Sequence, residues 1–317
     1  MTGARKLESL CDAYVRTLVA LGESDPKLVV LEADPPGSAR ASQFGERFRE
    51  RYFRAAPEDP ALMSVAAGLS EGDRTVFASG PAVVVVGQSY DAVRRSVCVP
   101  RANVKIVATR AGLLDGRVRD APPMLEDIGL MRGLPGMTVI VPADAPTAEA
   151  ATRAVAEREG PAYLRLTGVD LPTVTDGTFR LGRAATLRDG TDLTVVAVGA
   201  MVARALELAE DLAAVGVSTR VLDFASVKPF DEPTLLRAAR DTGAILVAEE
   251  HSVTTGVGAL VASATAENYP VPVRRVGVPD VFGEPGDPWV LLDRYGLSLA
   301  RMREEAWELL RGRGKFE

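Results

Sequence analysis

The sequence predicts an α/β fold in which two doubly wound domains follow one another along the chain. Apolar strand-like segments alternate with amphipathic helical segments from residue 27 to residue 166. A stretch rich in glycine, proline, threonine and aspartate interrupts this alternation at residues 168–187, and the alternation resumes at Asp192. Strands that alternate with helices are typical of parallel βαβ units with helices on both faces of the sheet. We therefore predict domains over residues 1–170 and 191–317, joined by a linker over residues 171–190.

The first predicted domain begins with a helical pattern that runs to Gly22, which is a typical C-cap residue. A buried strand and a loop with two prolines follow, and Pro60 suits the first turn of the next helix because proline has no N–H to satisfy. Predicted strands cover residues 27–33, 75–78, 104–109, 138–141 and 162–166, and predicted helices cover residues 5–22, 61–69, 82–97, 124–134 and 146–159.

The second predicted domain repeats the pattern with four strands and four helices. The strands cover residues 193–198, 218–223, 244–248 and 273–276, and the helices cover residues 202–215, 232–242, 256–267 and 298–311. The pair Asp189–Gly190 lies between two strand-like segments and predicts a tight hairpin turn.

Composition excludes several functional classes. The chain has 317 residues, of which 47% are hydrophobic and 25% charged, and its formal net charge of −6 does not favour nucleic acid or anionic membranes. Neither a membrane span nor a signal peptide is predicted, so we expect a cytoplasmic protein.

Cys11 and Cys98 lie in apolar surroundings and are predicted to be core residues rather than a disulfide or metal ligands. His251 is the single histidine.

Polar side chains follow the predicted strands at their carboxyl ends, where ligands bind in open parallel sheets. Asp34, Gly80 and Arg110 occupy such positions. Glu58 and Asp59 precede a helix, where backbone N–H groups and the helix dipole favour negative charge. These two carboxylates are interpreted either as simple helix caps or as functional groups at the same edge.

Six segments of the chain resemble the transketolase family, and together they cover nearly its whole length. The segment at residues 51–79 resembles the pyrimidine-binding domain of short, split transketolases, which are thiamine diphosphate enzymes. The six segments are RYFRAAPEDPALMSVAAGLSEGDRTVFAS (51–79), VKIVATRAGL (104–113), LEDIGLMRGLPGMTVIVPADA (125–145), VLDFASVKPFD (221–231), VAEEHSVTTGVGA (247–259) and VGVPDVFGEPGDPWVLLDRYGL (276–297). The resemblance implies a pyrimidine-binding domain followed by a transketolase C-terminal-like domain.

The resemblance also implies a reaction, the transfer of a two-carbon ketol unit, and a catalytic carboxylate. The family glutamate that hydrogen-bonds N1′ of the aminopyrimidine ring coincides with Asp59, which is one methylene shorter. Glu58 is the alternative if the loop is displaced by one residue. On the same basis the cofactor is expected to contact Asp34 and the segment GPAVVVVG, with Pro81 and Val84 at the positions of a family aromatic pair and Gly87 at its end.

On the substrate side, most family positions carry different residues. Arg110 and Pro122 stand where the family has histidines, Gly168 stands where it has a phosphate-binding arginine, and Ser38 matches a substrate-side serine. Arg110, Arg117 and Arg119 form either a site for an acidic or phosphorylated substrate or a solvated loop. His251 follows a strand of the second domain and is interpreted either as a structural histidine or as a substrate-site residue.

Three functional interpretations therefore remain open. The chain is an active enzyme with an altered substrate site, or a degenerate, non-catalytic subunit that completes a partner assembly. The β subunit of a 2-oxo acid dehydrogenase shares the architecture, but the segments VKIVATRAGL and GDPWVLLDRYGL favour transketolase.

A partner subunit is implied by a missing motif. Transketolases hold the diphosphate through a metal ion in a third domain that carries a Gly-Asp-Gly motif followed by an asparagine, and this sequence lacks that segment. We expect a separately encoded N-terminal transketolase subunit to hold Mg²⁺ or Ca²⁺, with thiamine diphosphate shared between the chains in a heterotetramer. No metal ligands are assigned to this chain.

Overall fold

Two large β-sheets and a short two-stranded ribbon organise the computed structural model, which describes residues 5–33, 41–56, 59, 61–115 and 122–312. The strands of the first half are β1 (Leu7–Ser9), β2 (Leu28–Glu32), β3 (Tyr52–Arg54), β4 (Thr75–Gly80), β5 (Val104–Ala108), β6 (Thr138–Ile140), β7 (Ala162–Arg165) and β8 (Asp170–Pro172). Its helices are α1 (Leu10–Ser24), α2 (Ser42–Arg47), α3 (Leu62–Leu69), α4 (Tyr90–Ala92), α5 (Asp127–Gly133) and α6 (Ala145–Ala156).

The second half continues the alternation. Its strands are β9 (Ala185–Arg188), β10 (Leu193–Ala197), β11 (Thr219–Asp223), β12 (Ser226–Lys228), β13 (Ile245–Ser252) and β14 (Val273–Val278). Its helices are α7 (Met201–Ala213), α8 (Glu232–Thr242), α9 (Val257–Asn268), α10 (Pro288–Arg294) and α11 (Leu299–Arg311).

The strand order confirms the predicted α/β class with parallel sheets. Among the described residues the first sheet has seven strands in the order β12-β6-β7-β5-β4-β2-β3, and only β12 is antiparallel to its neighbour. The second has five strands in the order β14-β13-β10-β11-β9, and only β9 is antiparallel. The central strands β2, β4, β5, β7, β10 and β13 are buried along almost their whole length, as expected for parallel strands with helices on both faces of the sheet.

The start of α1 is set by Ser9, whose hydroxyl accepts a hydrogen bond from the backbone N–H of Asp12 at 3.1 Å. The prediction that Gly22 ends this helix is wrong, because the helix continues to Ser24. The position needs a small residue for packing: a Cβ on Gly22 would lie 2.6 Å from the rings of both Phe44 and Phe48.

The predicted hairpin at Asp189–Gly190 is also wrong. The turn joins β9 to β10, but β11 lies between these two strands in the sheet. Gly190 is required by a close backbone approach instead, since its Cβ would lie 2.3 Å from the carbonyl carbon of Thr219.

The helix predicted over residues 82–97 exists but is wound irregularly. Turns of the π type at Val83–Gln88 and Val93–Cys98 flank the short α4. Such turns are rare and occur frequently at functional sites. This helix follows β4, so it begins at the carboxyl edge of the first sheet.

One strand of the second half completes the sheet of the first half. After β11 the chain crosses to pair Ser226 and Lys228 with Ile140 and Val139 of β6. The Lys228 ammonium group donates to the carbonyl oxygens of Arg132 and Leu134, at 2.8 and 2.7 Å, at the end of α5. The two halves are therefore joined by backbone as well as side-chain hydrogen bonds.

Both cysteines are buried and unbridged, as the sequence predicted, with exposed fractions of 5% for Cys11 and 6% for Cys98. Burial also raises the pKa of the Cys98 thiol to about 11. Within the described ranges, no helix has both the length and the apolar character that a membrane crossing requires.

Candidate functional site

The candidate site lies at the carboxyl edge of the first sheet. Four neighbouring strands of this sheet, β2, β4, β5 and β7, are parallel and end at the same level. Glu32 lies opposite Ser79, Gly80 lies opposite Ala108, and Ala108 lies opposite Arg165. The residues that directly follow these strands therefore emerge side by side. This edge brings together the segments that begin at Pro81, Arg110 and Leu166.

Asp59 lies at the N-terminal end of α3, half-buried. Its Oδ1 accepts a hydrogen bond from the backbone N–H of Ala61 at 2.9 Å, and its carbonyl oxygen accepts one from Leu62 at 3.1 Å. The carboxylate thus sits among the free N–H groups that begin the helix, where negative charge is favoured. Ala61 is the N-cap residue and has no side-chain cap of its own, so the Asp59 contact is a local turn two residues before the cap.

The predicted cofactor-contacting residues after β4 are spread along the start of the irregular helix and differ in burial. Pro81 is half-buried, Val84 is buried and Gly87 is exposed. The backbone of Gly87 faces Met124, whose sulfur would lie 3.7 Å from a Cβ on that glycine. Pro81 and Val84 are apolar but not aromatic, so this segment offers no aromatic ring for stacking.

Two buried hydroxyl groups at either end of this segment have no hydrogen-bond partner among the described residues. They are the Oγ atoms of Ser79 and Ser89, whose residues are 0% and 1% exposed. Buried polar atoms are nearly always paired, so these two hydroxyl groups keep hydrogen-bonding capacity that no described residue uses.

The predicted substrate-side residues follow two further strands. Arg110 is half-buried after β5, and its carbonyl oxygen accepts a hydrogen bond from the N–H of Ala82 at 3.2 Å. Pro122 is exposed and precedes Met124, whose carbonyl oxygen accepts a hydrogen bond from Gly112 at 3.1 Å. Gly168 is exposed after β7. The loops that carry Arg110 and Pro122 are thereby connected to the helix after β4.

Several predicted residues lie outside the described part of the chain. These are Asp34, Ser38 and Glu58, together with the loop arginines Arg117 and Arg119.

His251 lies at the boundary between the two sheets and is completely buried. Its Nδ1–H donates to the carbonyl oxygen of Ser252 at 2.9 Å, and its Nε2 accepts from the N–H of Gly129 at 3.3 Å. Burial lowers the pKa of the imidazole to about 4, which Arg165 reinforces and Asp127 opposes. The ring is therefore neutral, both of its nitrogen atoms are hydrogen-bonded, and it lies against α5.

A buried network of charged groups next to His251 was not predicted from the sequence. Arg165 at the end of β7 donates from Nε to Asp127 at 2.9 Å and from Nη1 to Glu250 at 2.8 Å. The hydroxyl group of Tyr163 donates to Asp127 at 2.5 Å. None of the side chains in the two ion pairs is more than 3% exposed.

The electrostatics of this network follow from its burial. Burial raises the pKa of Tyr163, and the adjacent Asp127 carboxylate raises it further. Burial also raises the pKa of Glu250, against the opposing effect of Arg165. For Arg165, burial favours the neutral form, but Asp127 and Glu250 outweigh this and raise its pKa. The available sequence signal was an arginine at the end of the apolar segment AYLRL, since a buried arginine requires carboxylate partners.

Comparison with known proteins agrees with this architecture. The family model of the transketolase pyrimidine-binding domain matches residues 9–173, and that of the transketolase C-terminal domain matches residues 182–302. The putative transketolase C-terminal section of Methanocaldococcus jannaschii is 37% identical over 290 residues, which cover 90% of this chain and 91% of that protein. The 6-deoxy-6-sulfo-D-fructose transketolase subunit SqwH of Clostridium sp. (strain MSTE9) is 36% identical, with 96% of each chain covered.

A solved structure, described as a split gene transketolase in an inactive beta4 tetramer, is also similar. It superposes with a TM-score of 0.89 at 44% sequence identity and covers 96% of this chain and 98% of its own.

The fold defines a two-domain α/β protein whose candidate site lies at the carboxyl edge of the first sheet. Both halves match one family of enzymes, in the order in which that family carries them. The chain belongs to the transketolase family and contains its pyrimidine-binding and C-terminal domains.

Proposed function

We propose that this chain is the pyrimidine-binding half of a split, transketolase-like thiamine diphosphate enzyme that transfers a two-carbon ketol unit, with an altered substrate site. The observation that carries the proposal is the Asp59 carboxylate, which lies at the N-terminal end of α3 and which the sequence resemblance aligns with the family glutamate. The family match over both domains supports the reaction class.

The described residues fit an aminopyrimidine ring in their chemistry. Asp59 supplies a carboxylate, Pro81 and Val84 supply apolar side chains, and Ser79 and Ser89 supply two buried hydroxyl groups without a described partner. An aminopyrimidine ring has nitrogen atoms that hydrogen-bond to carboxylate and hydroxyl groups, and an apolar face that packs against apolar side chains.

In this assignment the chain positions the ring and manages one proton. When bound, thiamine diphosphate supplies a thiazolium carbon acid, and its aminopyrimidine group assists removal of the thiazolium proton. Asp59 bonds the Ala61 N–H through Oδ1, which leaves Oδ2 to hold the proton at the ring nitrogen N1′. Removing a positioned acid–base group of this kind costs roughly 10²–10⁴-fold in rate.

The substrate side is proposed to select an anionic partner for the transfer. Arg110 emerges beside the start of the helix after β4 and is permanently charged, so it binds carboxylate, sulfonate or phosphate but rarely transfers a proton. His251 is assigned a structural role, because both of its ring nitrogen atoms are already bonded within the protein.

A second chain is proposed to provide the diphosphate-binding domain and its Mg²⁺ or Ca²⁺, in a heterotetramer with this one. The relatives that match this chain along almost their whole length support this, since one is named a subunit and another a C-terminal section. The beta4 form of the similar solved structure is described as inactive, which agrees with a requirement for a second kind of subunit.

Thiazolium C2–H exchange tests the proposal directly. This chain is mixed with the diphosphate-binding partner, thiamine diphosphate and magnesium, and exchange is followed by proton NMR. We expect exchange to be faster than with the partner alone, Asp59→Ala to abolish the acceleration, and Glu58→Ala to retain it. The reverse pattern would transfer the role to Glu58.

The same experiment examines the alternative, a degenerate subunit that only completes the assembly. The replacement of family aromatic and histidine residues by Pro81, Val84 and Pro122 favours this alternative. Bound cofactor without any acceleration of exchange would establish it and overturn the proposed catalytic role.

A further inference from the structure

The loop that follows β5 is held at three backbone positions. The carbonyl oxygen of Arg110 accepts from Ala82 at 3.2 Å, and the N–H of Gly112 donates to Met124 at 3.1 Å. The third contact differs, because the N–H of Leu114 donates to Oε1 of Glu250 at 3.2 Å. Glu250 belongs to β13, so this contact comes from the C-terminal domain.

Glu250 is itself held rigidly. Its Oε2 accepts from Nη1 of Arg165 at 2.8 Å, and its carbonyl oxygen accepts from Nη2 of the same guanidinium at 3.0 Å. The side chain is 2% exposed. One carboxylate oxygen is therefore committed to the ion pair, and the other is aimed at the loop.

The loop backbone lies directly on this ion pair. Gly112 has a φ of +75°, and a Cβ there would lie 2.1 Å from Oε1 of Glu250 and 2.3 Å from Nη2 of Arg165. Such an approach is possible only for glycine. Two contacts thus fix the position of the loop against the C-terminal domain. One is the close approach of Gly112 to the ion pair, and the other is the hydrogen bond from Leu114 to Glu250.

A buried ion pair is not needed for stability alone, since well-packed apolar residues are often as stabilising at such positions. A carboxylate that bridges an arginine and a loop N–H does something that apolar packing cannot, because it specifies the position of one backbone atom. The loop concerned carries Arg110 at its start and leads into the segment before Pro122.

We propose that Glu250 is a positioning residue through which the C-terminal domain sets the geometry of the substrate side. Its Oε1 fixes the backbone at Leu114, and with Arg165 it holds the loop that carries Arg110 at the carboxyl edge of the first sheet. The positioning rests on the contacts above, whereas its effect on turnover rests on the proposed function.

Glu250→Gln is the informative change. An amide has one acceptor oxygen, so it satisfies either Arg165 or the N–H of Leu114 and turns a donor toward the other. Site-resolved hydrogen exchange of the full chain is expected to show the Leu114 amide exchanging roughly tenfold faster, because a hydrogen bond to a charged group is lost. The amides of Ile106 and Val107 in the middle of β5 are expected to retain their protection.

Glu249→Gln is the matched control on the same strand. Glu249 is also buried, but its carboxylate accepts from Val257 and Gly258 at the start of α9 and, among the described residues, makes no hydrogen bond to the loop. We expect this variant to retain protection at Leu114. Equal loss at Leu114 in both variants would mean general loosening and would overturn the proposal, as would unchanged protection in Glu250→Gln.

Kinetics with the partner subunit provide the second readout. Glu250→Gln is expected to raise the KM for an anionic sugar substrate several-fold while thiazolium C2–H exchange, measured without substrate, stays at the wild-type rate. A higher KM accompanied by a comparable loss of the C2–H exchange rate would contradict a positioning role, as would an unchanged KM. If wild-type protein shows no exchange at all, the proposed function fails, and the hydrogen-exchange comparison still decides the role of Glu250.

Discussion

At the residue scale, His251 shows how burial decides chemistry. The ring is buried between the two domains, and its pKa lies near 4 because burial disfavours the charged form. The unfolded chain binds a proton near the ordinary pKa of about 6.5, whereas the folded chain does not. The stability contributed by this neutral ring is therefore complete above about pH 6.5 and is lost as the pH falls through about 4.

Because the chain contains one histidine, its titration is directly observable. In protein labelled with ¹³C-histidine, we expect one Cε1–H resonance whose position is constant between about pH 8 and about pH 5. In urea the same resonance is expected to titrate with a midpoint near about 6.5. A midpoint near that value in the folded protein would show that the ring is solvated, in conflict with the structure.

The position of Asp59 in the chain illustrates what local sequence patterns predict about a single residue. Its position before an apolar helical pattern was sufficient to place a carboxylate at a helix N-terminus, and the structure confirms that placement. Arg165 and Glu250 lie 85 residues apart, and no local pattern connects them. Their pairing depends on which strands end at the domain boundary, which is a property of the folded chain.

At the element scale, α9 begins on a buried carboxylate. Glu249 accepts hydrogen bonds from Val257 at 2.6 Å and Gly258 at 2.9 Å, so it satisfies two of the N–H groups that a helix leaves free. Burial raises the pKa of Glu249 to about 7, and these two hydrogen bonds oppose the rise. The preceding Gly256 lets the helix approach the carboxylate this closely.

Gly256→Ala is expected to destabilise the protein by about 1–3 kcal/mol, the usual cost of forcing extra atoms into a packed core. The added Cβ would lie 2.0 Å from Oε2 of Glu249 and 2.7 Å from Nδ1 of His251. Gly68→Ala is the control, because Gly68 lies inside α3 and a Cβ there meets nothing within 4 Å. That change should stabilise by about 0.5–1 kcal/mol. Urea unfolding curves give the free energy of unfolding of both variants. Equal changes in Gly256→Ala and Gly68→Ala would contradict the close approach at Gly256.

Among the elements, the long and regularly patterned ones were predicted best. The strands β2, β5, β10 and β11 and the helices α8 and α11 lie within a residue or two of their predicted bounds. The short elements α2, β3, β12 and α10 were not predicted. Three to seven residues carry too few periodic positions to reveal a pattern, and such elements form because a neighbouring element supplies their hydrogen bonds or apolar contacts.

At the scale of the whole molecule, β12 and Lys228 tie the two halves together. Lys228→Met removes two hydrogen bonds from an ammonium group to the end of α5, at a cost of about 1.5–3 kcal/mol each at most. We expect differential scanning calorimetry to show one transition in the wild-type chain and one at a lower midpoint in this variant.

Lys27→Met is the matched control. Lys27 is exposed and lies 3.6 Å from the exposed Asp73, and such surface pairs contribute about 0–1 kcal/mol. Its midpoint should lie close to that of the wild-type chain. Two separate transitions in the wild-type chain would show that the halves unfold independently, contrary to the shared sheet.

The sequence by itself determined the fold class, the order of the main strands and helices and the family, because periodic apolar patterns and local motifs are properties of consecutive residues. It also identified the edge of the sheet at which Gly80 and Arg110 lie, since parallel strands place their carboxyl ends together. Only the tertiary structure decided that β12 joins the first sheet, that His251 is sealed at the domain boundary, and that Glu250 reaches the loop after β5. These contacts join residues far apart in the chain, and their partners become neighbours only when the two sheets pack against each other.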